Sequence, residues 1–214
     1  FNGVLVTLFR LPAIIVTLGT LNLYRGLTYI VSDAKQIDRQ FVPSALKAMS
    51  QTSPIFGIPW IIFMSLGIAA LTYVFVMHTQ VGRQIYALGS NPVAAPLRGI
   101  NVTKVTLLVF ALSGALAGLA GIMYASRVAS ANPVQGDGLM LTAIAAVFLG
   151  MTAMRDGQPN VLATVAGVVT LGVMDNGLTQ LQVDSYVRQV LVGAIILVAV
   201  SISAGSCPTR CEYA

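Results

Sequence analysis

The 214-residue chain predicts an all-α fold, a polytopic transmembrane helical bundle. Hydrophobic residues make up 56% of it and charged residues 9%, with a mean hydropathy of +0.83. Soluble domains run near 25% charged, so this chain has too little charge to cover a water-facing surface. Its apolar residues gather in segments of about 20, the length a helix needs to cross a hydrocarbon layer about 30 Å thick. Its longest polar island, residues 79–104 (TQVGRQIYALGSNPVAAPLRGINVTK), carries Arg83, Arg98 and Lys104 and no acid. A basic loop between two spans is held on the cytoplasmic side.

The segments follow in order. FNGVLVTLF at the start is apolar but too short to span, and reads as the tail of a helix that begins upstream, so the chain is expected to be N-terminally incomplete. Apolar segments then lie at about 13–31, entered through Pro12, and 56–77, entered through Pro54 and Pro59; proline suits a first helical turn. Further segments lie at about 105–126, 139–154, 161–181 and 187–204. The segment 139–154 is short and rich in small residues, which fits either a tilted span or a re-entrant one. Nothing suggests a soluble domain. One transmembrane domain over 1–204 and a tail over 205–214 is the expected division. The loop 32–53 is mixed in charge, with a short surface helix expected at 43–50.

Orientation rests on charge. With 79–104 inside, the inner set holds six basic residues (Arg10, Arg83, Arg98, Lys104, Arg155, Arg210) against the acids Asp156 and Glu212. The outer set holds five (Lys35, Arg39, Lys47, Arg127, Arg188) against Asp33, Asp38, Asp137 and Asp184. The bias has the sign of the positive-inside rule. In this setting a pI of about 9.5 says nothing about nucleic acid, and no nucleic-acid partner is expected. Cys207 and Cys211 lie in the tail and imply no disulfide framework.

The island is richer than a connector needs. Gly82, Gly89, Asn91, Pro92, Pro96 and Gly99 punctuate it, and Ala94 and Ala95 leave room for close approach. The glycines permit sharp turns at either end of a short helix, and the two arginines can pair with acids or carbonyls of a partner. The plain alternative is a basic loop that serves topology alone.

GRQIYALGSNPVAAPLRGINVTK, followed by FALSGALAGLAGIMYASRVASANP, resembles the permease subunits of bacterial ABC importers of the ribose, rhamnose and autoinducer type. The residues that carry the resemblance are Gly82, Arg83, Tyr86, Ala87, Gly89, Asn91, Ala94, Ala95, Arg98, Gly99 and Ile100. PAIIVTLGTLNLYRG near the start, AIAAV at 143–147 and NGL at 176–178 agree with it, and it covers about 1–204. The resemblance implies a transport subunit of the bacterial cytoplasmic membrane, not an enzyme, with ATP hydrolysis on a partner chain and no cofactor of its own. It implies that the island docks a cytoplasmic ATP-binding subunit through Gly82, Arg83, Tyr86, Gly89, Asn91, Ala94, Ala95, Arg98 and Gly99. It also implies a second permease subunit and a periplasmic or lipid-anchored solute-binding protein. The chain departs from the family after AIAAV, where GMTAMRDGQPN keeps only Gly150, Thr152 and Gly157 of a glycine-rich loop, and before it, where Met140 and Thr142 stand in place of an acidic residue.

Within the spans, Gly114 and Gly118 form a GxxxG, which lets helices approach closely; packing within this subunit is the favoured reading and a subunit interface the other. Ser113 can bond back to its own helix and receives no substrate role. Arg25 can snorkel to the nearby span end. Asp175 and Asn176 read either as a helix-end cap or as part of a sugar path, since ionisable groups inside a membrane usually face a cavity or partner. His78 reads as an interfacial residue rather than a ligand. No Walker lysine, HExxH or GxSxG motif occurs. The competing classes are a secondary transporter or channel without an ATPase, which needs buried ionisable groups for ion coupling, and a non-functional remnant.

Overall fold

Within the membrane every backbone polar group must find a partner inside the chain, which leaves helices as the economical answer for these segments. The computed structural model describes residues 1–36, 59–134, 136, 138–153, 159–182, 187, 190–191 and 193–194, and among them helices dominate and no β-strand forms. The chain divides into two compact units, Phe1–Gln135 and Gly136–Ala214.

The first unit holds α1 (Asn2–Phe9), α2 (Ala13–Ser32), α3 (Trp60–His78), α4 (Gln80–Ser90), a 3-10 turn (Pro96–Arg98) and α5 (Val102–Val128). Pro12 and Pro59 stand immediately before α2 and α3. There the fixed φ of proline suits entry to a helix and its missing N–H breaks no bond. At 27 residues α5 runs about 40 Å, longer than the hydrocarbon layer. The second unit holds α6 (Leu139–Ala153) and α7 (Val161–Gln180). The helices match the apolar segments at 13–31, 56–77, 105–126, 139–154 and 161–181 to within a few residues. Most of the segment 187–204, the surface helix at 43–50, most of the loop 32–53, the tail and Arg155 and Asp156 lie outside the described residues.

Four of these helices, α2, α3, α5 and α7, are long and apolar enough to cross a membrane. The fifth apolar helix, α6, has 15 residues, about 22 Å of rise, short of a full perpendicular crossing. Burial shows what solvent these helices are built for. The buried apolar residues are few and mostly small: Val16, Ala95, Val105, Ala129, Ala145, Ala146, Ala163 and Leu171. α3 buries none of its side chains. In water such bare flanks would drive aggregation; in lipid they need no cover. Several hydroxyls inside the helices are satisfied by their own helix. Thr20 Oγ1 donates to the Val16 carbonyl at 2.9 Å, and Thr72 Oγ1 to that of Ile68 at 2.8 Å.

With no hydrophobic drive between helices in lipid, close backbone approach decides packing. α1 lies on α5 through Gly3, where a Cβ would press on Phe110 Cβ at 3.1 Å and Leu107 Cδ2 at 3.2 Å. The tightest case is α6 against α7. A Cβ on Gly150 would collide with the Ala163 carbonyl, and one on Gly167 with the Ala146 carbonyl. The two helices therefore run antiparallel, with Ala146 and Gly150 on one opposing Ala163 and Gly167 on the other. Each helix contributes an alanine and a glycine four residues apart. Leu171 joins Ala145 and Ala146 in the small core, flanked by Leu149 and Met174. Gly150, Met151 and Thr152, read in the sequence as a loop, lie on α6.

By contrast, a Cβ at Gly114, Gly118 or Gly121 would meet nothing within 4 Å. The GxxxG is not spent on packing among the described residues, against the favoured expectation. Gly114 and Ala117 instead line a groove of about 580 Å³ between α1, α2 and α5, together with Asn2, Thr17 and Ser113.

This packing yields a matched test. Gly150→Leu and Gly167→Leu should each destabilise the protein by about 1–3 kcal/mol through overpacking. Gly172→Leu, on the same α7 but facing open space, should stay within about 0.5 kcal/mol. Thermal unfolding in detergent reads the difference, and equal midpoints for Gly167→Leu and Gly172→Leu would refute the interlock.

Candidate functional site

The island begins as a joint between two helices. Thr79 ends α3 and starts α4. Its Oγ1 donates to the Phe75 carbonyl at 2.6 Å and accepts from the Gly82 amide at 3.1 Å, and its own amide donates to the Phe75 carbonyl at 3.3 Å. One hydroxyl thus adds a second bond to the last-turn Phe75 carbonyl of the first helix and satisfies a free amide of the second. Gly82 is buried, and a Cβ there would collide with the Val76 carbonyl, so only glycine lets α4 turn this tightly off the end of α3. Sequence reasoning singled out Gly82 as a turn residue and missed Thr79, although a threonine three residues before a helix's third amide is a cap signal.

α4 is amphipathic. Val81, Ile85, Tyr86 and Leu88 lie on its half-buried side, and Gln80, Arg83, Gln84 and Ser90 on its exposed one. Its apolar stripe packs inward, on α3 and α5. Gly89 sits inside α4, one residue before its end, with ordinary helical backbone and open space around it, so it makes no turn, contrary to the sequence reading.

The turn comes after Ser90. Asn91 is extended, with φ −152°. Its Oδ1 accepts from the amides of Val93 at 3.1 Å and Ala94 at 2.9 Å, and its carbonyl accepts from Ala95 at 3.1 Å, an Asx turn. The 3-10 turn Pro96–Arg98 follows and is closed by two bonds. The Gly99 amide donates to the Pro96 carbonyl at 2.9 Å, and that of Ile100 to the Ala95 carbonyl at 3.3 Å. Gly99 lies at φ 77°. This bond pair around a left-handed residue is the Schellman closure, which glycine adopts without strain. Asn101 then caps α5, its Oδ1 accepting from Lys104 at 3.2 Å, so Lys104 belongs to the first turn of α5.

The candidates therefore divide. Asn91 and Gly99 build the turn. Arg98 stands exposed in it and Arg83 exposed in the first turn of α4, and Tyr86 packs half-buried on the inner face of α4. Ala95 is only 3% exposed and Ala94 half-buried. Ala95 approaches its own chain rather than offering a surface to a partner, which corrects the expectation for it. The residues at the tip are Val93 and Leu97, 81% and 87% exposed. The sequence reading passed over both as spacers between the small and turn-forming residues; their aliphatic character inside a polar, proline-framed loop was the available signal.

Asp175 and Asn176 lie in the second unit, on α7 and short of its end at Gln180. Neither is a terminal cap, which overturns that reading. Asn176 Nδ2 donates to the Gly172 carbonyl at 3.1 Å, and the Asp175 carbonyl accepts from Thr179 Oγ1 at 2.7 Å. Neighbours on a helix point about 100° apart, so the two side chains do not converge on one ligand atom. His78 ends α3 in edge-on contact with Tyr73, ring centres 6.1 Å apart, and Arg25 sits half-buried on α2, two turns before its end.

Comparison with known proteins follows this geometry. The family described as the branched-chain amino acid transport system / permease component matches residues 1–200. The ribose import permease protein of Haemophilus influenzae is 39% identical over 93% of this chain and 62% of its own length. That of Bacillus subtilis is 35% identical over the same shares. The D-allose transport system permease protein of Escherichia coli is 35% identical over 94% of this chain and 61% of its own. The chain thus spans about three fifths of the length of these relatives. No solved structure matches it. With a match across nearly all of its residues and helices built to lie in lipid, the protein belongs to this family of multi-pass membrane transport permeases.

Proposed function

We propose that the protein forms the translocation path of an ATP-driven importer for a sugar or sugar-like solute in the bacterial cytoplasmic membrane. In this reading the turn at 91–99 is the mechanical contact with a cytoplasmic ATP-hydrolysing subunit. The observation that carries it is the build of the island. A basic segment between two membrane-length helices is folded into a hydrogen-bonded turn, where a connector that served topology alone needs no such order. A rigid element transmits displacement, and a floppy loop does not. Thr79 joins α4 to α3, and Asn101 joins the turn to α5, so force on the turn reaches both membrane helices. The names of the sugar permeases to which the chain is similar support the solute class.

The other parts follow from the same reading. ATP hydrolysis falls to the partner, a second permease subunit completes the path, and a solute-binding protein delivers from the far side. Asp175 and Asn176 supply donors and acceptors along that path, as sugars require, each from its own side of α7.

Orientation is tested by labelling intact cells with an impermeant thiol reagent. Cysteine at the exposed Lys35 should react and cysteine at Ser90 should not; the reverse pattern would overturn the assignment. Coupling is tested by uptake in cells that carry the partner subunits. Gly99→Val forces a β-branched residue into the left-handed region, at a cost of about 1–2 kcal/mol, and should abolish uptake while membrane insertion persists. Gly99→Asn, which tolerates that backbone, should keep most of it. Arg98→Glu should also abolish uptake, since reversing a charge at a contact repels its partner. Full uptake and normal ATPase association in both Gly99→Val and Arg98→Glu would reduce the island to a topological loop.

A further inference from the structure

We infer that Val93 and Leu97 are the two prongs of an apolar plug that seats in a hydrophobic, acid-rimmed socket on the ATP-hydrolysing subunit. This rests on the docking role proposed above and names the chemistry of that contact. Single exposed aliphatics are ordinary on any protein. These two differ in how they are held. They flank Ala95, which is buried, so the chain turns inward between them and both project outward. Asn91 Oδ1 fixes the backbone at Val93, and the Schellman bonds fix it around Leu97. Pro92 and Pro96 stiffen the same turn. Side chains presented on a pre-ordered backbone lose little freedom on binding, which is how a few contacts come to dominate an interface.

Charge selects the rim. Arg98 is exposed next to Leu97, Arg83 is exposed near the start of α4, and 79–104 contains no acid. A socket that accepts two aliphatic side chains and carries carboxylates at its edge complements both features. An anionic membrane surface shares that chemistry in part, but a peripheral helix needs a continuous apolar face laid into the lipid. The apolar face of α4, with Val81, Ile85 and Leu88, is already turned toward α3 and α5. What remains is a narrow tip, shaped for a protein pocket.

The experiment uses the assembled permease and its ATPase subunit in nanodiscs. Val93→Ser with Leu97→Ser, both on the surface, should leave the thermal midpoint unchanged and weaken ATPase association about thirtyfold or more. Leu97→Met should restore most of it. A polarity-sensitive fluorophore on Leu97→Cys should shift to the blue on addition of ATPase. If the double serine variant binds as tightly as wild type while a cross-linker on Arg98→Cys still captures the ATPase, the plug is wrong and docking by the island stands. If no position from 90 to 99 cross-links to the ATPase, both fall. A blue shift that needs anionic lipid and no ATPase overturns the plug in favour of a lipid contact.

Discussion

Thr79 is the point on which the described architecture of the island depends. A chain that leaves a membrane helix exposes four carbonyls at one end, and a chain that enters the next helix exposes four amides. Here both events fall on one residue. A single hydroxyl reinforces a last-turn carbonyl of one helix and answers an orphan amide of the next, and Gly82 removes the side chain that would otherwise hold the helices apart. Two helices of unlike character, one apolar all round and one amphipathic, are thereby fixed to one another without a flexible linker. Capping interactions of this kind contribute about 1 kcal/mol each, small in total but decisive for the angle at which α4 leaves α3.

The same economy recurs wherever the described backbone departs from a helix near the island. Asn91 answers two amides with one carbonyl oxygen, Gly99 lets two carbonyls of the turn be reached, and Asn101 caps the helix that follows. The result is a polar, basic segment with the internal order of a small domain, attached at both ends to helices whose flanks belong in lipid. That contrast, order where water is available and bare apolar surface where it is not, is the feature on which the proposed docking role rests.

Much of this was legible in the sequence, and for identifiable reasons. Length and hydropathy place α2, α3, α5 and α7 because a bilayer demands about 20 apolar residues whatever the tertiary contacts. Gly99 was legible because a glycine after a short basic run is the usual mark of a left-handed closure. Other features depended on three-dimensional neighbours. Gly89 and Gly82 look alike as letters, yet one faces open space and the other a carbonyl. The GxxxG of α5 carries the usual packing pattern and packs on nothing described, while Ala146, Gly150, Ala163 and Gly167, split between two helices and not read in the sequence as a packing motif, make a tight helix–helix contact. Ala95 was read as surface because it is small; it is small because it is buried.

Asp175 shows where pattern reading meets its physical limit. One acid in an apolar segment invites a functional role, since charge in lipid is costly. An ion-coupled transporter would gather such groups, because a carboxylate must share its load with a second ligand as the ion passes. Here the adjacent Asn176 projects to another side of α7 and bonds back to Gly172, and Thr179 is tied to the backbone at Asp175. That arrangement sets the Asp175 and Asn176 side chains on different sides of the helix. On the function proposed above, a hydroxyl-rich solute would need weak, separated contacts of this kind, because a site that held it tightly would slow its release, and the ordered turn of the island would be where energy enters from outside the bundle.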